Sequence, residues 1–209
     1  MSENVEPTDW DKFDWHNVQT EHGHLRASKI LHLIPKQGKH LDVGTGRGDG
    51  TFTISKIKSC IGIDYGLVST EIAKSKGLEI FQSDARYMPF KSNTFDSVTC
   101  LDVLEHIPNP DFAIKEISRV IRDDGIFVLQ TPSSEMIKEK LLRFIRKHNI
   151  KKQKQPYDLS LKLDDIRNLL SNNNFKVISQ EKIKYWDSNF IMQIISYSWV
   201  FHCRKISNK

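Results

Sequence analysis

Residues 40–50 read HLDVGTGRGDG, four glycines within seven positions directly after a short apolar stretch. The preceding KHLDV (39–43) predicts a strand that ends at the glycines, and residues 49–57 predict the helix that follows. A strand opening through glycines onto a helix presents bare backbone N–H groups to a ligand. In open parallel sheets such ligands sit beyond the carboxyl ends of the strands, near the reversal of strand order.

The pattern continues outward from this turn. SCIGID (59–64), LEIFQSD (78–84), FDSVTCLDV (95–103) and GIFVLQT (125–131) predict strands. LVSTEIAKSKG (67–77) predicts a helix stopped by Gly77. PDFAIKEISRVIRDDG (110–125) predicts a second, with Phe112, Ile114, Ile117, Val120 and Ile121 on its apolar face. Strands alternating with helices at this spacing predict βαβ units and a parallel sheet covered on both faces. HLRASKILHLI (24–34) predicts a helix ahead of the first strand. LSLKLDDIRNLLSNN (159–173) predicts one behind the fifth, followed by strands at 175–183 and about 196–205.

Composition bounds the rest. The 209 residues suit one domain. Cys60, Cys100 and Cys203 are too few and scattered for a disulfide framework or a zinc site, so no metal is expected. No apolar run reaches the ~18 residues of a membrane span. The acidic, polar N-terminus is unlike a targeting peptide, so a reducing cytoplasm is the expected compartment. The net charge of +5 divides unevenly: residues 1–134 carry 15 Lys and Arg against 19 Asp and Glu, residues 135–209 carry 16 against 7. Any anionic partner is therefore expected at the C-terminal third.

Two nucleotide loops fail on inspection. A G-x-G-x-x-G site counted from Gly44 and Gly46 requires a third glycine at 49, where Asp49 stands and would repel a pyrophosphate. The Walker A pattern fails because no Gly-Lys-Ser/Thr follows. What stands is D-x-G-x-G-x-G, from Asp42 through Gly44 and Gly46 to Gly48. Asp64 closes the second strand 20 residues beyond Gly44, where a carboxylate can accept both hydroxyls of a ribose.

With these stations the chain resembles the class I S-adenosylmethionine-dependent methyltransferases, in particular their type 11, small-molecule branch. QSDARYMPF (82–90), the VLEHI run (103–107), EISRVIRDDGIFVLQTP (116–132) and YDLSLKLDDIRNLLSNNNFKV (157–177) carry the resemblance, which covers about residues 24–183. It implies an α/β, Rossmann-like three-layer sandwich, whose seven-stranded, mostly parallel sheet ends in an antiparallel strand. It implies S-adenosyl-L-methionine as cofactor and S-adenosyl-L-homocysteine as product. Asp42, Gly44, Thr45, Gly46 and Gly48 would cradle the methionine end, Asp64 would hold the ribose, and Asp84 and the Ala85 N–H would meet the adenine. Tyr65 and Leu101 complete the implied cofactor-binding set.

Methyl transfer from a sulfonium depends largely on proximity and alignment, and needs a general base only for an acceptor that carries a proton. Glu105 and His106 are the candidate catalytic residues, the alternative being that they brace their loop. His16, His22 and His24 could fold over the site, and Trp10, Phe13 and Trp15 either form a lid or pack on the domain. No Asn/Asp-Pro-Pro-Tyr/Phe follows the fourth strand, which argues against methylation of an exocyclic adenine or glutamine amide nitrogen. Cys100 lacks the Pro-Cys setting of cytosine-C5 enzymes.

The expected organisation is a single domain over 1–209, with residues 1–23 as an N-terminal cover and 133–160 as a basic helical insert. Residues 134–154 could cover the substrate, or contact nucleic acid or an anionic membrane. Three functions follow: a methyltransferase of a small-molecule acceptor, one acting on RNA or protein through the basic third, and a non-catalytic interaction protein of the same fold.

Overall fold

The computed structural model describes residues 6–11, 21–132, 159, 161–183 and 198–207. All of the 133–160 insert except Leu159 therefore lies outside the described residues, as do Phe13, Trp15, His16 and the side chains of Trp10 and His22.

Among the described residues there are seven strands and six α-helices. Helices α1 (Pro7–Asp11) and α2 (Glu21–Ile30) precede β1 (His40–Val43), α3 (Asp49–Ser55), β2 (Cys60–Asp64), α4 (Leu67–Ser75) and β3 (Glu79–Gln82). There follow β4 (Phe95–Leu101), α5 (Pro110–Val120), β5 (Ile121–Pro132), α6 (Leu163–Asn172), β6 (Phe175–Ile183) and β7 (Ser198–Lys205). The strands form one sheet in the order β3-β2-β1-β4-β5-β7-β6. β1 to β5 pair in parallel, and β7 runs antiparallel between β5 and β6. This is the Rossmann-like α/β architecture implied by the sequence.

Both faces of the sheet are buried, and alternate side chains divide between them. Phe127 and Leu129 of β5 join Leu41, Val98 and Cys100 beneath α5, which contributes Ala113, Ile114, Ile117 and Val120. Val128 and Val200 face the other way, into a cluster with Ala27, Ile30 and Ile34 from the N-terminal region and Ile54 of α3. Among the described residues no helix is long and apolar enough to cross a membrane. All three cysteines are free.

Most predicted elements fall within two residues of their expected ends; α2, β5 and α6 are displaced by three or four residues at one end or both, and α5 departs further. Asn109 caps it, Pro110 fixes its first turn, and it stops at Val120 instead of continuing to Gly125. Ile121 already pairs with Phe95, and Asp124 takes a φ of +61°, which helix cannot accommodate. Phe112, assigned to the apolar face, is half exposed, and Ala113 is buried in its place. The core value of the two phenylalanines should therefore differ. Phe127, fully buried with its ring 4.9 Å from that of Phe175, should lose about 3–5 kcal/mol on replacement by Ala. Phe112→Ala should stay within about 0.5 kcal/mol of wild type, and urea titration of both variants measures the contrast.

Candidate functional site

The strand order reverses between β1 and β4, and there the loops leaving their carboxyl ends part to form a cleft of about 230 Å³. The glycine turn makes its floor. Gly44 and Thr45 both donate their N–H to the Ile63 carbonyl (2.8 and 3.1 Å), which ties the turn to the end of β2. Gly44, Gly46 and Gly48 all have positive φ, so this backbone path is open to few other residues. At Gly44 a Cβ would also strike the Val103 side chain from the loop after β4. The loops after β1 and β4 thus mesh at the cleft's base. Space at Gly46 is open, with nothing within 4 Å of a Cβ there.

Asp64 stands at the end of β2. Its Oδ2 accepts from the Gly46 N–H (2.7 Å) and its Oδ1 from the Gly66 N–H (2.9 Å). Burial outweighs these two bonds and, with the nearby Asp42 and Asp11 carboxylates, raises its pKa from 3.8 to about 6. Asp42 is 4% exposed and accepts from Thr99 Oγ1 (2.7 Å) and Thr51 Oγ1 (2.6 Å). Burial raises its pKa, while the two hydroxyls pull the other way.

Asp84 lies on the wall after β3, where Arg86 clasps it through Nε and a terminal nitrogen (2.7–3.1 Å). The Arg86 backbone N–H also donates to Asp84 Oδ1 (2.8 Å), so this one residue contacts each carboxylate oxygen twice. Tyr65, Ala85 and Leu101 also line the cleft. Asp49, the residue that breaks the dinucleotide pattern, lines it too and is paired with Lys76 (2.5 Å).

Two expected residues stand apart from the cleft lining. Gly48 serves the turn: it caps α3 with a φ of +85°, and Leu78 and Ala73 crowd the place of a Cβ. Glu105 is buried beneath the loop, where Thr131 Oγ1 donates to its carboxylate (3.3 Å) and Leu159 N–H to its backbone carbonyl (2.7 Å). Burial, aided by the Asp102 carboxylate, raises the pKa of Glu105 well above the usual range. His106, by contrast, lines the cleft, with its Nε2 3.9 Å from Glu105 Oε1. His24 bonds Thr53 on α3 (2.8 Å) and approaches Asp49 (3.7 Å), which fixes it to the scaffold outside the cleft lining.

Sequence reading missed Arg26 and Asp102. Arg26 reaches from α2 into the cleft and pairs with Asp102 (2.9 Å). Asp102 takes a φ of +55° just beyond β4 and accepts from Gln130 Nε2 (2.7 Å). A non-glycine residue held in this region by partners from two other elements is the sequence-invisible mark of a constrained site. Among the described residues no group of three or more His, Cys, Asp or Glu could hold a metal ion.

The profile of the methyltransferase domain family matches residues 41–129, the span from β1 to β5 that builds this cleft. Over that span the chain is similar to the methyltransferase domains, in keeping with the class I S-adenosylmethionine-dependent resemblance of its sequence. It is 34% identical over 97 residues to the uncharacterized methyltransferase YcgJ of Bacillus subtilis, covering 43% of this chain and 38% of that protein. It is 29% identical over 143 residues to the ubiquinone biosynthesis O-methyltransferase of Paracidovorax citrulli, covering 58% and 60%. The chain spans about half the length of the curated relatives it matches. Its fold matches a chain in the complex between the Haloferax volcanii Trm112 methyltransferase activator and a methyltransferase. That match has a TM-score of 0.78 at 14% identity and covers 98% of this chain and 99% of that one.

Two outcomes are expected from this geometry. Gly44→Ala combines a strained φ with overpacking against Val103 and should destabilise by about 2–4 kcal/mol. Adding Val103→Ala should recover part of that loss, as chemical denaturation of the single and double variants would reveal. Asp64 supplies the second. Its raised pKa means the folded state holds the proton more tightly than the unfolded one. Its stabilising contribution is therefore complete below about pH 4 and lost as pH rises through about 6. Thermal melts across that window should show wild type losing ground to Asp64→Asn as pH rises, and parallel pH profiles would refute the assignment.

Proposed function

We propose that this chain transfers a methyl group from S-adenosylmethionine to an oxygen, nitrogen or carbon of a small molecule. The observation that carries the reading is the convergence of Asp42, Gly44, Gly46, Asp64 and Asp84 on one cleft at the strand-order reversal. These residues come from the carboxyl ends of three successive strands, β1 to β3, and the turns that follow them, and their chemistry suits the ligand part by part. Gly46 leaves room for close backbone approach. Asp64 suits paired ribose hydroxyls, and Asp84 with Ala85 suits the adenine edge. Arg26 is a cation at the same cleft, suited to the amino-acid carboxylate of the methionine end. The Asp49 carboxylate disfavours a dinucleotide pyrophosphate in that position.

S-adenosylmethionine supplies an already activated methyl group, so the protein's task is alignment and exclusion of water. Val103, Ile107 and Leu101 furnish apolar wall for that purpose. His106 is the candidate base for an acceptor that must lose a proton, because it lines the cleft and histidine titrates near neutrality. Glu105 is assigned a positioning role. A carboxyl whose pKa lies well above the usual range holds its proton more readily, and its bonds run to Thr131 and Leu159. The curated relative that acts in ubiquinone biosynthesis supports a small-molecule acceptor.

A second reading, methylation of RNA or protein, draws on the C-terminal charge: residues 135–209 carry 16 Lys and Arg against 7 Asp and Glu. It also draws on the fold's likeness to a methyltransferase–activator complex. Nucleic-acid docking through that segment would weaken steeply with salt, whereas small-molecule turnover would not.

Thermal stabilisation by S-adenosylhomocysteine, compared with NAD, tests the principal reading. A ligand at 100 times its dissociation constant adds about 2.7 kcal/mol, so the shift should be plain. Stabilisation by NAD alone would exclude it. His106→Ala should keep the S-adenosylhomocysteine shift and lower methyl transfer by about 10²-fold or more for a protonated acceptor. Unchanged turnover would remove His106 from the chemistry.

A further inference from the structure

The sheet face covered by α2 and α3 carries a line of polar side chains that the cleft alone does not explain. His40 and Asp42 alternate on β1, Ser97 and Thr99 alternate on β4, and the register pairs His40 with Ser97 and Asp42 with Thr99. All four are at most 4% exposed. Buried strands of a parallel sheet are ordinarily apolar, and polar groups there are costly unless every one is bonded.

Here every link is made. Lys58 Nζ lies within hydrogen-bond distance of the Pro35 carbonyl (2.7 Å), the Gln37 carbonyl (3.1 Å) and Ser97 Oγ (2.9 Å). Ser97 Oγ meets His40 Nδ1 (2.8 Å), and His40 Nε2 meets Thr99 Oγ1 (2.9 Å). Thr99 Oγ1 ends the line on Asp42 Oδ1 (2.7 Å).

The two ends fix the direction of all the links. An ammonium only donates and an ionised carboxylate only accepts. Lys58 therefore donates to Ser97, whose proton goes to His40 Nδ1. The imidazole must then carry its proton on Nε2 and give it to Thr99, whose hydroxyl proton points to Asp42. The imidazole is neutral, as this order requires: burial and the neighbouring Lys58 lower its pKa to about 3. The chain thus runs one way across the sheet, from a cation at the amino ends of the strands to an anion at the cleft. Such an alignment polarises each bond in the same sense and favours the charged form of the terminal carboxylate.

We propose that Lys58, Ser97, His40 and Thr99 are positioning residues that act through Asp42, holding its carboxylate ionised and oriented for the cofactor. The proposal rests on the reading of the cleft as an S-adenosylmethionine site. Thr51 anchors the other oxygen of Asp42 from α3 (2.6 Å), so the carboxylate has no rotational freedom once the chain is formed.

Calorimetric titration with S-adenosylhomocysteine tests it on Thr99→Val, Thr99→Ser and Lys58→Met, with melting temperatures recorded alongside. Thr99→Val keeps the shape and removes the hydroxyl, and should weaken binding about tenfold or more, equivalent to about 1.4 kcal/mol. Thr99→Ser restores the hydroxyl and should return the affinity to within about twofold of wild type, which a purely volumetric role for the side chain does not predict. Lys58→Met leaves both bonds to Asp42 intact, yet should weaken binding about threefold or more through loss of the chain's polarising end. Thr99→Ser as weak as Thr99→Val, or Lys58→Met equal to wild type, would overturn the proposal while leaving the cofactor reading standing. Wild-type protein that fails to bind S-adenosylhomocysteine would overturn both.

Discussion

Parallel pairing of β1 with β2 on one side and β4 on the other is the constraint from which the rest of the molecule follows. Three neighbouring strands that point the same way end on the same edge, and each needs a crossover on a face of the sheet. The crossovers from β1 and from β4 leave in opposite directions, so their loops diverge and open the cleft between them. Because the crossovers cover both faces, β1 is buried throughout and β4 over most of its length, and any buried polar side chain on them requires a partner supplied from within. Cleft and polar line are thus two consequences of one pairing.

That arrangement also explains why acidic residues cluster where they do. Strand ends are the first positions at which backbone N–H groups are left without ladder partners. Asp64 meets two of these, from Gly46 and Gly66, and so knits the first two βα loops together. The same burial that makes the carboxylate useful raises its pKa, so the fold carries a cost at neutral pH that a ligand with hydroxyl donors would relieve.

The legibility of the sequence tracks the range of the interactions involved. The first five strands, and the order of glycine turn, Asp64 and Asp84 along them, were readable because period and spacing are local properties. The end of α5 was not, because Ile121 leaves the helix to pair with Phe95, a residue 26 positions earlier. Arg26 and Gln130 were silent for the same reason: their meeting at Asp102 brings together three elements far apart in the chain. Gly48 and Glu105 were legible as positions but not as surroundings, since whether a side chain turns to a cleft or a core depends on what packs against it. His40 shows the opposite case. Its polarity inside a strand was visible in HLDV, but its meaning required Ser97 and Thr99 beside it.

The meshing of Gly44 with Val103 has a consequence for how this protein could change over time. Where one loop has no side chain because the other's fills the space, a side chain can be gained at Gly44 only with a compensating loss at Val103. Tyr65, Arg86 and His106 line the cleft from three separate loops and are not bound by this constraint. Divergence among proteins built this way would leave the base of the crevice conserved in shape and redraw only its mouth, the part that meets whatever is brought to it.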